Sequence, residues 1–265
     1  MNLQVLVATM NQSDFKLIDK MNLRSDVIIA NQTDNNSFQY LNSEGAQSLM
    51  ISTDTRGVGI NRNIALLASN ADILLFADDD MCYYDGTLQG VLSAFENNPE
   101  ADVIIFSVDI IKDGVIVEKR HIRDGRSRLH NSMKYGTYSF AVRRNSVIKA
   151  NIKFNELFGG GCVYSSGEDS LFLKSCFDNK LKVFTSSYVL GTCCKDNSSW
   201  FNGYNHKYFY DKGAFLNFCF PKLKRFYVFY FVFRFKNRTD LSGLEIFKLM
   251  NRGIKGSKSL IPYEN

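Results

Sequence analysis

Apolar and polar residues alternate in blocks over about the first 110 positions, and the period of each block predicts its element. LQVLVAT predicts a strand, and SDFKLIDKM a helix with Ser13 as its cap. SDVIIAN is a second strand, the polar run NQTDNNS a loop, and SLMIST a short third strand. From Asn61, NRNIALLASN has helical spacing, with Ile64, Leu67 and Ala68 on one face. ADILLFADDD opens as a near-continuous apolar run, the pattern of a strand covered on both faces of a parallel sheet. GTLQGVLSAFENNP is a helix ended by Pro99, and ADVIIFSVDI is another buried strand. This β-α-β-α alternation predicts a doubly wound α/β sheet.

The pattern changes after about Ile110. IIKDGVIV reads as two short β runs joined by a turn at Asp113-Gly114. TYSFAVRR is a strand and NSVIKAN a short helix. FNELFGGGCVYSSGEDSLFLKSCFDN is a glycine-rich loop feeding a helix, and LKVFTSS and YVLGT are strand-like. From about Asn197 the chain turns aromatic and basic and is predicted helical. The whole reads as one compact body with a C-terminal appendage, without internal repeats or low-complexity linkers.

Composition narrows the chemistry. The 265 residues are 45% hydrophobic and 22% charged, which is globular rather than disordered. Only three histidines, His121, His130 and His206, are present, and they do not cluster, which argues against an all-His metal site. Lys+Arg 32 against Asp+Glu 27 gives a net charge of +5 and points to anionic partners. Six cysteines without CxxC spacing argue for free thiols in an intracellular chain, and the opening MNLQVLVATMNQ does not read as a signal peptide. No run approaches the ~18 apolar residues of a membrane span.

Three segments carry candidate chemistry. Asp78, Asp79 and Asp80 follow ILLFA at the carboxyl end of a predicted buried strand, the edge at which open α/β sheets bind ligands. Adjacent carboxylates repel one another, and Mg²⁺ or Mn²⁺ relieves this through oxygen ligands and substrate phosphates. In extended backbone, side chains two apart point the same way, so Asp78 and Asp80 can share a ligand. The plainer alternative is a solvated acidic turn. RGVGINRNIALLASN supplies Arg56 and Arg62, whose guanidinium groups suit a diphosphate, the alternative being exposed arginines at a helix start. It is neither a dinucleotide fingerprint, since Arg62 stands at the third glycine position, nor a P-loop. In GGGCVYSSGEDSLFL, glycines 159–161 and 167 permit a flexible loop, Ser165 or Ser166 can cap the helix, and Glu168 and Asp169 fall in its first turn. The helix dipole alone favours acids there. A carboxylate beside such a loop is also what a general base needs, a role worth about 10²–10⁴-fold.

In this order, T-x-N after strand one, GxGxxRNxAL, ILLFADDD, FGGGxxxxxGEDSLFL and SSW resemble the family 2 glycosyltransferases of the GT-A fold, especially the small bacterial members of capsule, exopolysaccharide or O-antigen assembly. The resemblance covers about Met1 to Phe201. It implies a Rossmann-like, mixed, mostly parallel sheet flanked by helices. Residues 1–196 would be the catalytic domain, with a nucleotide-sugar half at 1–110 and an acceptor half at 111–196. Residues 197–265 would be a helical extension.

The resemblance also implies roles. Thr9 and Asn11 would line the nucleotide pocket, and Arg62, with Arg56 near it, would contact the diphosphate. Asp78 and Asp80, with Asp79 between them, would engage ribose and a Mn²⁺- or Mg²⁺-bound diphosphate. Asp169, beside Glu168, would be the catalytic base. Gly160, Gly161 and Trp200 would face the acceptor, Trp200 alternatively packing the junction to the C-terminal helices. Where relatives carry Asp-Asp-Gly-Ser after strand two, this chain has Asn31-Gln32-Thr33-Asp34, so base recognition falls to Asn31 or Asp34. Where many carry a late metal-binding histidine, it has GTCCKDNSSW with Cys193 and Cys194, and water is the favoured substitute.

The expected activity is inverting, metal-dependent transfer from a nucleotide-diphosphate sugar, a UDP-sugar first, to a glycan on a polyprenyl diphosphate lipid. The expected place is the cytoplasmic inner face of the membrane. A sugar-phosphate nucleotidyltransferase should have a basic glycine-rich loop after strand one, where ATMNQSDF stands; a non-catalytic carbohydrate-binding protein is the other alternative. Phe226, Phe229, Tyr230 and Phe233 share one helical face bracketed by Lys222, Lys224, Arg225, Arg234, Lys236 and Arg238. That combination suits an anionic membrane surface, the alternative being packing on the catalytic body. The bracketing arrangement argues against nucleic acid.

Overall fold

β1 (Leu3–Met10) is buried from Leu3 to Thr9 because the sheet is covered on both sides: Leu3, Val5 and Val7 enter one core and Leu6 the other. In this computed structural model, which describes residues 1–43, 45–194 and 203–263, the chain continues through α1 (Lys16–Lys20), β2 (Asp26–Gln32), β3 (Ser37–Ser43) and β4 (Ala46–Thr53). Then come α2 (Val58–Ala68), β5 (Ile73–Asp78), β6 (Met81–Tyr83), α3 (Thr87–Asn97), β7 (Val103–Lys112), β8 (Val115–Arg120), β9 (Gly125–Arg126) and α4 (Leu129–Ser132). A 3₁₀ turn (Thr137–Ser139) leads into β10 (Phe140–Arg143), α5 (Arg144–Lys149), α6 (Glu168–Asp178) and β11 (Val183–Cys194). Three helices follow: α7 (His206–Cys219), α8 (Lys224–Phe235) and α9 (Gly243–Gly256).

One mixed sheet runs in the order β3-β4-β2-β1-β5-β10-β7-β11-β6, with β8 on β7 and β9 on β11. The long ladders β4–β2–β1–β5 and β7–β11 are parallel, while antiparallel pairing is confined to β10 and the shorter or outer strands. Helices α1 and α3 cover one face, through Leu17, Val91 and Phe95. Helices α2, α5 and α6 cover the other, through Leu66, Val147 and Phe172. On that side Phe76, Phe140, Phe154 and Phe172 form a ring cluster with centroids 4.3–5.8 Å apart, tying β5, β10 and α6 together beneath the acidic strand end.

A third core belongs to the C-terminal helices. Phe209, Phe215, Leu216, Val228, Ile246 and Met250 pack with Phe158 and Tyr164 of the glycine-rich loop and Leu171 of α6. The predicted appendage is therefore joined to the body by shared apolar surface. The boundary drawn at 196/197 lies outside the described residues.

Several sequence expectations change. Helix α1 starts after Phe15, not at Ser13, and the Asp14 carboxylate accepts from Lys16 N at 3.0 Å. Strand β3, exposed and outermost, is an added antiparallel edge on β4. The two strand-like runs after α6 are one strand, β11, interrupted by register shifts around Val189. The buried face of α2 is Asn61, Arg62, Ala65 and Leu66; Leu67, expected inside, is 61% exposed. The Asp113-Gly114 turn is as expected, with φ of 50° and 74° closing the β7–β8 hairpin.

Candidate active site

The parallel register sets Thr9 beside Asn31, Asn31 beside Ser52, and Ala8 beside Asp78, so β1, β2, β4 and β5 end at one carboxyl edge. Thr9 Oγ1 donates to Asp79 Oδ2 at 2.6 Å. Asn31 is buried, and its amide is used within the fold: Oδ1 accepts from Gln12 N at 2.9 Å, and Nδ2 donates to Gln12 O at 2.9 Å and Ser52 Oγ at 3.0 Å. It thereby fixes the turn after β1, where Asn11 is exposed with φ 55°. Arg56 Nη2 pairs with Asp34 Oδ1 at 2.5 Å on the surface, at the ends of β2 and β4.

Helix α2 enters at this edge. Gly57, at φ 117°, donates its N–H to Gln32 Oε1 at 2.9 Å, and Asn61 Nδ2 donates to Thr9 O at 3.1 Å and Ala30 O at 2.8 Å. Those bonds aim Arg62 inward, where its side chain is 5% exposed. Nη2 donates to Asp78 Oδ1 at 2.7 Å, and Nη1 to Glu168 Oε1 at 3.1 Å and Asp169 Oδ1 at 2.9 Å. The guanidinium also lies 5.4 Å over the Phe154 ring. Burial disfavours its charge, but the three carboxylates outweigh burial and raise its pKa above the ordinary value.

Asp169 sits in the first turn of α6. Its Oδ1 accepts from Arg62 Nη1 and from the hydroxyl of Thr137, which is wholly buried. Among the described residues its Oδ2 receives no hydrogen bond. Burial and the neighbouring Glu168 push the Asp169 carboxyl up to about 7, against the opposing pull of Arg62 and Thr137. Glu168 Oε2 turns back to accept from Gly167 N at 3.0 Å. The glycine-rich loop closes over this turn through the Phe158–Tyr164 bridge, and Val58 N donates to Gly160 O at 3.0 Å. Gly159, at φ 110°, leaves room that a Cβ would take 2.9 Å from the Glu168 carboxyl carbon. From α7, Asp211 Oδ2 accepts from Ser165 N at 2.9 Å and from the Ser165 hydroxyl, holding the far end of the loop.

Asp80 is placed differently from its neighbours. Its Oδ1 is buried without a hydrogen-bond partner, and Cys193 Sγ donates to Oδ2 at 3.6 Å. Burial, then repulsion from Asp78 and Asp79, pushes its carboxyl up to about 6 while the thiol opposes the shift. An unpartnered carboxylate oxygen beside two more carboxylates suits a hard divalent cation. Among the described residues no three His, Cys, Asp or Glu side chains group closely enough to enclose an ion. Asp80 fits as one ligand of a cation completed by phosphate oxygens and water.

The fold thus gathers Thr9, Arg62, Asp78, Asp79, Asp80, Glu168 and Asp169, with Gly160 and Gly161 bordering α2. Asn31 is fastened inside, and Arg56 and Asp34 lie on the rim. Arg62, read from sequence as a phosphate contact, has both terminal nitrogens on carboxylates. Trp200 and the SSW segment lie outside the described residues. His121, His130 and His206 are exposed, His121 paired with Asp109 at 2.8 Å. Thr137 and Asp211 were not singled out from sequence: their contacts span 32 and 46 residues, and no local spacing marks them.

Comparison with known proteins bears on the same residues. A family model described as glycosyl transferase family 2 matches residues 16–154, more than half of the chain. No curated protein matches the sequence. Among solved structures, S. aureus TarS 1-349 in complex with UDP-GlcNAc is similar at 18% identity and a TM-score of 0.59, covering 98% of this chain and 74% of that one. TarS 1-349 in complex with UDP is similar at 15% identity and a TM-score of 0.58, covering 98% and 72%. At such identities the likeness establishes the fold, a mixed GT-A sheet flanked by helices.

Proposed function

We propose, for a chain that belongs to glycosyl transferase family 2, that it transfers a sugar with inversion from a UDP-sugar to a glycan carried on a polyprenyl diphosphate lipid, in assembly of a bacterial surface polysaccharide. It would work as a peripheral protein at the cytoplasmic face of the membrane. The observation that carries the transfer reading is the Arg62 bridge: one guanidinium joins Asp78, at the end of β5, to Asp169, at the start of α6. That bridge supports a reading in which the donor-binding edge and a carboxylate base share one site.

Asp169 Oδ2 takes the proton from the acceptor hydroxyl as its oxygen attacks the anomeric carbon from the face opposite the diphosphate. Arg62 and Thr137 hold Oδ1, so the basic oxygen is oriented before the acceptor arrives. A single displacement inverts the anomeric centre. Asp80, with Asp78 beside it, would hold Mn²⁺ or Mg²⁺, whose chemistry there is to offset charge on the departing diphosphate. Thr9 and Asn11 would border the nucleotide, with the Arg56–Asp34 pair at the rim.

Isothermal titration with UDP tests the reading, UDP being the ligand named for a TarS structure. Binding is expected with Mn²⁺ and not with EDTA, and Asp80→Ala should abolish it. Metal-independent binding that survives Asp80→Ala would remove the acidic strand end from the donor site. Release of UDP from UDP-GlcNAc and a panel of other UDP-sugars then identifies the donor.

A further inference from the structure

We infer that the outer face of α8 is a docking surface for an anionic lipid bilayer. This deepens the peripheral location proposed above, and it stands whether or not the chain transfers sugar. From Phe226 to Phe233 helix α8 carries aromatic and aliphatic residues around its whole circumference, yet only one side is covered. Val228 and Phe235 are buried in the third core, and Tyr227, Phe231 and Val232 pack against it. On the other side Phe226, Phe229, Tyr230 and Phe233 are 69%, 64%, 50% and 77% exposed. Their spacing of i, i+3, i+4 and i+7 makes one stripe, which exposed Leu223 prolongs toward the N-terminus. Four adjacent exposed aromatics are a patch that calls for a partner, unlike apolar residues scattered singly.

The charge around the stripe selects that partner. Lys222, Lys224 and Arg225 stand at one end of the helix and Arg234, Lys236 and Arg238 at the other, with no acid from residue 221 to 239. Without these six cations the chain's 32 Lys+Arg become 26 against 27 Asp+Glu, so the molecule's net positive charge resides here. Lys224 Nζ is bonded to Asn217 Oδ1 at 2.6 Å, and Lys236 Nζ lies 5.1 Å over the Phe233 ring. The nearest following acids are Asp240 and Glu245, and Glu245 is held in the α9 capping box by Ser242. A second copy in two-fold symmetry would set these cations against their own images, and residues 221–239 hold no acid to offset them. A bilayer with anionic headgroups accepts both features at once, aromatics at the acyl boundary and Lys/Arg on the phosphates. Twelve residues make a helix of about 18 Å, against a hydrocarbon thickness of about 30 Å. Among the described residues no helix is long and apolar enough to cross a membrane. Helix α8 therefore lies in the plane of the interface.

The test is co-sedimentation of the full chain with vesicles. Wild type should sediment with phosphatidylglycerol–phosphatidylcholine vesicles, less so as salt is raised, and stay in solution with phosphatidylcholine alone. The combined variant Phe226→Ser, Phe229→Ser, Tyr230→Ser and Phe233→Ser should stay in solution in both cases while still melting cooperatively, because its four positions are half or more exposed, with Phe229 giving up a ring contact to Phe247 at 5.5 Å. In Phe229→Trp, emission should shift to the blue on adding mixed vesicles, relative to wild type. Wild type that remains in the supernatant, a Ser variant that sediments like wild type, or unmoved Trp emission overturns the proposal. So does a wild-type dimer that the Ser variant dissolves without any vesicle binding, which would make the face a protein interface. UDP binding, measured without lipid, reports separately on the transferase reading.

Discussion

The two oxygens of Asp169 do different work. Oδ1 is held by Arg62 and Thr137, and among the described residues Oδ2 receives no hydrogen bond, which in the proposed mechanism leaves it for the acceptor's proton. The carboxyl is pushed up to about 7, and in the proposed mechanism its charged form is the base, so activity should be lost as pH falls through that value. Initial rates with saturating donor should therefore rise about tenfold per pH unit below pH 7 and level off above it. Asp169→Asn should keep UDP binding while turnover falls by about two orders of magnitude or more. The Thr137 hydroxyl favours the ionised carboxylate, so Thr137→Val raises the Asp169 pKa further and moves the rising limb toward alkaline pH. A limb that stays in place in Thr137→Val would assign it to another group. Arg62 acts on the same carboxylate oxygen through Nη1. Arg62→Lys keeps a positive charge but lacks the planar fork that reaches three carboxylates, so turnover should drop while UDP affinity is retained.

Among the elements, α7 and α9 approach so closely that glycine is required where they cross. A Cβ on Gly253 would lie 1.9 Å from Tyr210 O, and one on Gly213 would lie 2.0 Å from Met250 O. Helix propensity alone makes Gly→Ala favourable in a helix interior by about 1 kcal/mol. Here the obstructing atoms are backbone and cannot yield, and overpacking costs about 1–3 kcal/mol or more. Gly253→Ala should therefore lower the melting temperature, and a rise would mean that the helices are further apart. Helix α2 shows the complementary case. Apolar periodicity assigns Leu67 inward, yet the helix turns Asn61 and Arg62 to the inside, because Asn61 fastens it to β1 and β2 and Arg62 is surrounded by carboxylates. Polar residues that are buried for their partners are invisible to a hydrophobic pattern.

For the whole molecule, the third core makes the C-terminal helices part of the site's support, since Phe158 and Tyr164 of the glycine-rich loop are buried among them and Asp211 anchors Ser165. A chain ending at Phe220 should melt at lower temperature than the full chain and turn over UDP-sugar more slowly even with a soluble acceptor. Unchanged melting and turnover would show the loop to be self-supporting. Much was legible beforehand because it depends on local chemistry. Continuous apolar runs marked strands covered on both faces, Asp113-Gly114 marked a hairpin, and Asp78 to Asp80 and Glu168-Asp169 marked a strand end and a helix start. Their motifs, read together, pointed to the family and to the GT-A sheet. Sequence alone also determined that Phe226, Phe229, Tyr230 and Phe233 share a helical face. The tertiary structure decided that this face looks outward, that Arg62 pairs with carboxylates across 16, 106 and 107 residues, and that Thr137 meets Asp169. The physical reason is range: periodicity and turn chemistry act within a few residues, whereas burial, ion pairing and exposure depend on which distant segments the sheet brings together.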